Sequence, residues 1–274
     1  MKDKILYILL ILILATMIFF GTKAYTKAKS YEQVTAFLVT HMSAKKLAEF
    51  QLKEFAEIFS LGFYENDKKK NLEKLRVEQK LYKKESQKYT LYFMLSLLGI
   101  LGSYFFISLR AFTFFTSMVG LITLVFGLIT PIMMVTIHKE IEYLGDVVLS
   151  FESKGVIGSI IKLFENDDVV VALVILLFSV LIPMTKILSL LFVSIFMENK
   201  FAHSIVKFFK MIGKWSMVDV FIVATFLVYL TTNKGDVSRA EIEVGLYFFL
   251  AYVIVSMLVS LSADKMLHRL QKSG

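Results

Sequence analysis

Apolar runs of membrane-spanning length recur six times along this chain, at about residues 5–20, 91–109, 112–137, 169–197, 216–232 and 245–262. A tilted helix needs about 20 apolar residues to cross the hydrocarbon layer, so the pattern predicts six transmembrane helices. The first run, Ile5 to Phe20 behind Lys2 and Lys4, is short enough to be the core of a cleaved signal peptide, with small residues near Ala24 and Ala28. An uncleaved signal anchor over residues 1–22 is the favoured reading, because no clean small-x-small site follows directly.

Between the first two runs the period changes. Val34, Leu38, Met42, Ala48, Leu52, Phe55 and Phe59 recur at helical steps along one face, and Ser30 with Gln33 resembles a capping box. Leu61-Gly62 through Asn66-Asp67 reads as a turn, after which Leu72, Leu75, Tyr82 and Tyr89 continue the seam, with Lys69–Glu73 and Lys74–Glu78 as four-residue charge pairs. The product is an extracytoplasmic helical hairpin over residues 23–90, either a stalk or a partner-binding arm, leading into an additional transmembrane helix over 91–111. From His138 to Asp168 the alternation at Val147, Leu149 and Phe151, after a Leu144-Gly145-Asp146 turn, predicts a short antiparallel pair. Val237, Ala240, Ile242 and Val244 could add a third strand, and Val156, Ile157, Ile160, Ile161 and Phe164 trace a short helix lying at the membrane surface.

Composition places the chain in the membrane: 57% of its 274 residues are hydrophobic, and a soluble domain tolerates far less. Cysteine is absent, which excludes disulfides, thiolate metal sites and a thiol nucleophile. The net charge of +8 is concentrated at one end, since residues 1–90 hold 17 Lys+Arg against 10 Asp+Glu. Almost all of those cations are lysine, with a single Arg76, so solvated helix faces near anionic headgroups explain them better than nucleic-acid binding. With the N-terminus cytoplasmic, inside segments carry Lys2, Lys4, Arg110, Lys200, Lys207, Lys210, Lys214, Lys265, Arg269 and Lys272, whereas the short outside loops carry Lys139, Lys154, Lys162, Lys234 and Arg239. That asymmetry predicts both termini in the cytoplasm, with residues 267–274 as a cytoplasmic tail.

Two charges interrupt the apolar runs. Lys186 lies three residues after Pro183, and Asp219 lies within Trp215-Ser216-Met217-Val218-Asp219-Val220-Phe221. An ionised group at the bilayer centre costs roughly 2.5–3.5 kcal/mol on insertion scales, so such residues face a partner or a wet cavity. Ser179, Lys186 and Ser189 are spaced by seven and three on one run, and Ser216 and Asp219 by three on the next, with Thr225 further in. These stripes predict a polar cavity or proton relay of Lys186, Asp219, Ser216, Ser189, Ser179 and Thr225; a buried pair that only fixes helix register is the alternative. Pro183 predicts a kink, Thr130-Pro131 a helix terminator or kink, and Trp215 with Lys214 an interfacial anchor. His138, Glu140 and Glu142 are better explained by alternate strand positions than by a metal. No phosphate-binding glycine loop, HExxH or nucleophile elbow is present, so neither cofactor nor enzymatic activity is expected.

The string PMTK at 183–186, then KWSMVDVF at 214–221, then Glu243-Val244-Gly245-Leu246-Tyr247 and Asp264, resembles the paraquat-inducible protein A (PqiA/LetA-like) family over roughly residues 112–266. The resemblance implies an all-α integral membrane protein of the bacterial inner membrane: a four-helix transmembrane bundle over 112–266 with a small extracytoplasmic β-sheet, here joined to an N-terminal anchor and helical hairpin. It also implies lipid transport between bacterial membranes with a mammalian-cell-entry (MCE) domain partner, and proton-relaying positions at Lys186, Ser216 and Asp219. Better-known members carry cysteine zinc ribbons and two copies of the module; this chain has one copy and no cysteine. A homo-oligomer restoring two modules, a stand-alone proton-coupled transporter or membrane-stress protein, and a structural scaffold are the other readings.

Overall fold

The structure, a computed structural model, describes residues 2–41, 67–141, 145–196 and 238–273. In chain order they form α1 (Lys2–His41), α2 (Asp67–Gly102), α3 (Leu109–Ile129), β1 (Met133–Ile141), β2 (Gly145–Lys154), α4 (Val156–Glu165), α5 (Val169–Ile195), β3 (Ser238–Ile242) and α6 (Val244–Ser273). This is an all-α membrane protein with one small antiparallel sheet, strand order β2-β1-β3. Among the described residues four helices are long and apolar enough to span a bilayer: Lys4–Val39, Leu109–Ile129, Val169–Ile195 and Val244–Met266. The run at 216–232 lies outside the described residues, as do the predicted turn at 61–67 up to Asn66, most of the first hairpin arm beyond His41, and Trp215.

Anchor and hairpin are not separate elements. α1 is one helix of 40 residues, roughly 60 Å long and about twice the hydrocarbon thickness. The expected capping box does not interrupt it, because no proline intervenes and Ser30 donates back to the Thr26 carbonyl at 3.0 Å. Thr22, Thr26 and Thr35 satisfy their hydroxyls on preceding turns in the same way. α2 packs antiparallel on α1. Leu10, Met17, Gly21, Ala24, Ala28, Tyr31, Thr35 and Leu38 form the buried seam of α1, and its small residues let the backbones approach. Ser86, Thr90, Phe93, Leu97 and Ile100 answer it from α2. Gln79 donates to Thr35 at 2.8 Å and Lys27 pairs with Glu85 at 2.6 Å, so the pair continues as a polar arm beyond its apolar half.

The apolar run at 91–109 is not a single helix. α2 stops at Gly102, a 3-10 turn covers Ser103–Phe105, and Ser108 caps α3 by accepting from the Ala111 amide at 3.3 Å. The apolar run at 112–137 likewise holds a shorter helix, which ends at Ile129 just before the Thr130-Pro131 step expected to terminate or kink it. Thr130, preceding Pro131, is extended at φ −84°, ψ 143°, as the proline ring requires of its neighbour, and Met133 onward joins β1. The predicted strand pair is present, with Val135 opposite Glu152, and β3 adds on the other edge, with Met133 opposite Ile242. α4 carries its predicted apolar stripe: Ile160 is buried, while Ile157, Ile161 and Phe164 remain exposed. Lys162 ties α4 to Glu152 of β2 at 3.1 Å.

α3 and α6 form the centre of the bundle, with α5 against α3. Phe126 of α3, Phe248 of α6 and Phe93 of α2 meet with ring centroids 4.7–5.9 Å apart, locking the α1/α2 pair onto the bundle.

Candidate functional site

The intramembrane site begins with a defect in α5. Residues Leu177–Leu181 form a π turn, closed by the Ile182 amide on the Leu177 carbonyl, immediately before Pro183. Proline supplies no amide hydrogen and crowds the preceding turn, so a widened turn at this place relieves the ladder. The Tyr252 hydroxyl of α6 donates to the Pro183 carbonyl at 3.4 Å. Beyond the defect, Pro183, Lys186, Ile187, Leu190, Val193 and Ser194 form the buried face. Lys186 is only 5% exposed.

Gly120 sets the level at which three helices meet. A Cβ there would lie 2.9 Å from Ile187 Cδ1 and 3.4 Å from Val255 Cγ1. Lys186 and Ser256 are the sequence neighbours of those contacts, so charge and hydroxyl approach the same level from α5 and α6. α3 contributes buried Thr113, Thr116, Ser117 and Thr123. Thr113 donates to Ser262 of α6 at 3.0 Å, while Thr116 Oγ1 and Ser256 Oγ are buried with no hydrogen-bond partner among the described residues. Such hydroxyls are dipoles free to turn toward a proton, a water or a charge.

Of the residues the sequence nominated, Lys186 is buried, and Ser179 and Ser189 are half-buried. The π turn at Leu177–Leu181 changes the helical phase between Ser179 and Lys186, which the seven-residue spacing alone does not show. Ser216, Asp219 and Thr225 lie outside the described residues. Sequence reasoning missed Thr113, Thr116, Ser256 and Ser262, although 113, 116, 120, 123 and 127 recur as small or hydroxylated positions on one face of α3. At the far end of α5, Arg110 donates from Nε to the Ser194 carbonyl at 3.0 Å and from Nη2 to that of Ile195 at 2.6 Å. A cation on the last carbonyls of a helix complements its dipole. Arg110→Ala should therefore lower stability by about 1–3 kcal/mol in thermal unfolding in detergent, whereas Arg110→Lys recovers part of it.

A second polar cluster sits where the α1/α2 arm meets the sheet. Lys83 of α2 pairs with Glu241 of β3 at 2.5 Å, and the Tyr31 hydroxyl of α1 donates to the same Glu241 oxygen at 3.2 Å. Glu243, two residues on and just ahead of α6, is 3% exposed, and its Oε1 has no partner among the described residues. Burial, reinforced by Glu241 and Glu32 and opposed by Lys83, pushes its carboxyl up to about 7 from 4.5. A folded-state value above the ordinary one means that Glu243 favours folding at low pH, that this contribution falls as pH rises from about 4.5 to about 7, and that it stays lost above. The difference is about 3 kcal/mol. Glu243→Gln should accordingly be more stable than wild type by up to about that much at pH ~8 and equal to it at pH ~4, as read by thermal unfolding; a gap independent of pH would contradict the assignment.

A helical bundle with a polar level in its apolar core, carrying a three-stranded sheet at one end, defines a polytopic membrane protein built around intramembrane polar groups. The chain belongs to the paraquat-inducible protein A family, whose sequence model matches residues 111–269. It is also 26% identical over 117 residues to a protein of Haemophilus influenzae described as a probable intermembrane transport protein; the match covers 40% of this chain and 28% of that protein. This chain therefore aligns with less than a third of the relative's length. No solved structure matches the chain.

Proposed function

We propose that this protein is a non-enzymatic inner-membrane subunit of an intermembrane lipid-transport system, working with an MCE-type partner, and that Lys186 and Asp219 form a proton-responsive pair in its core. The observation that carries the reading is Lys186: a lysine 5% exposed in a helix otherwise apolar enough to span a bilayer. Retaining a cation there is costly, which argues for a role in the working cycle rather than in packing. Support for transport comes from the family membership and from the relative's description. Thr116 of α3 and Ser256 of α6 supply buried hydroxyls with no partner among the described residues.

Asp219→Asn is expected to leave the protein inserted and abundant while abolishing complementation of a deletion strain's envelope-lipid defect. Affinity purification of the tagged, wild-type chain should bring down a tunnel-forming MCE partner. Normal complementation by Asp219→Asn would remove the proton-responsive pair, and purification of an active chain without any such partner would favour a stand-alone transporter.

A further inference from the structure

We infer that Glu243 is a proton-binding site that controls the docking of the α1/α2 arm on the sheet-side end of the bundle. The site is separate from Lys186 and stands on its own geometry. Glu243 continues the line of β3, its amide donating to the Ile132 carbonyl at 2.9 Å, so Glu241 and Glu243, two apart, lie on the same face of the strand. That face meets the arm. Tyr31 and Glu32 come from α1, Lys83 from α2 and Glu241 from β3; among the described side chains these are the titratable groups acting on Glu243, Arg239 is the next alternate position of β3, and the α3–β1 junction contributes Thr130 and apolar residues. Among the described residues, Lys83 is thus shared by Glu241 and Glu243. It is committed to Glu241, with Tyr31 on the same oxygen.

A carboxylate oxygen buried without a donor is tolerated as the neutral acid and strongly disfavoured as the anion. With the proton on, Glu243 leaves Lys83 and Tyr31 on Glu241, and the arm is held against β3. With the proton off, the buried anion becomes the stronger attractor for Lys83. Glu241, whose side chain is half exposed, is then left to water, and the arm's ionic tie moves from β3 to the head of α6, which reseats the arm.

The absence of cysteine makes the test direct. Spin labels placed at Val77 on the arm and Gly158 on α4, both exposed, report their separation in lipid nanodiscs by pulsed electron resonance. The expected result is a distance distribution at acid pH that shifts to a second one as pH rises through about 7, and an acid-like distribution at every pH in Glu243→Gln. In parallel, infrared difference spectra should show a protonated-carboxyl stretch lost over the same interval in wild type and missing in Glu243→Gln. Should Glu243→Gln not fold, Glu241→Gln serves instead: it frees Lys83 for Glu243 and should move the infrared midpoint to lower pH. An unchanged wild-type distance distribution across the range, or a carboxyl signal that persists in Glu243→Gln, overturns the inference.

Discussion

Lys186→Met should abolish complementation while the protein remains inserted. Methionine matches the length of the lysine stem and removes its charge, so helix packing around Ile187 and Leu190 is conserved. If Lys186 pairs with Asp219 as proposed, losing one member leaves the other uncompensated, at about 3–5 kcal/mol, and thermal stability should fall with activity. Lys186→Met combined with Asp219→Leu separates the two possible roles of the pair. If the charges only hold helices in register, the double variant regains both stability and activity, since well-packed apolar residues replace buried pairs at little cost. If a changing charge drives the cycle, stability returns and activity does not. A fully active double variant would sink the proton-responsive reading.

Gly245→Val should be the most destabilising single change outside the polar core. A Cβ at this position would lie 2.5 Å from the Pro131 carbonyl oxygen and closer still to that of Thr130. Both obstacles are backbone, which cannot rotate away as a side-chain tip can. The Gly245 amide also donates to the Pro131 carbonyl at 2.9 Å, and Glu243 to Ile132 at 2.9 Å, so the head of α6 is stitched to the α3–β1 corner. Separating them would unseat β3 from β1 and disturb Glu243 together. A loss above about 4 kcal/mol is expected, the range in which backbone overlap in a packed interior falls. Gly245→Val that melts within a few degrees of wild type in nanodiscs would show that this corner yields more easily than its distances indicate.

Much of the architecture was legible in the sequence because it is written locally. The membrane character, the amphipathic α4, the β1–β2 pair and the helix stop before Pro131 all follow from hydropathy period and proline geometry. PMTK, WSMVDVF and EVGLY carried the family likeness, and Lys186 stood out because a charge in an apolar run is visible without coordinates.

Other features depend on which surfaces meet, and no local pattern contains that. The continuity of α1 through Ser30 was misread because an N-cap serine and a back-bonding serine look alike in sequence; only the unbroken helical ladder distinguishes them. The π turn shifted Ser179 relative to Lys186 through a backbone adjustment that spacing alone does not encode. The cluster of Tyr31, Lys83, Glu241 and Glu243 includes a hydrogen bond between residues 210 positions apart. Composition, hydropathy period and proline placement determined a membrane-embedded helical chain with charge in its spans, since those properties act over a few residues. Only the tertiary structure decided that Glu243 is dry and close to a lysine already paired with Glu241, because desolvation and charge proximity are created when distant segments close on one another.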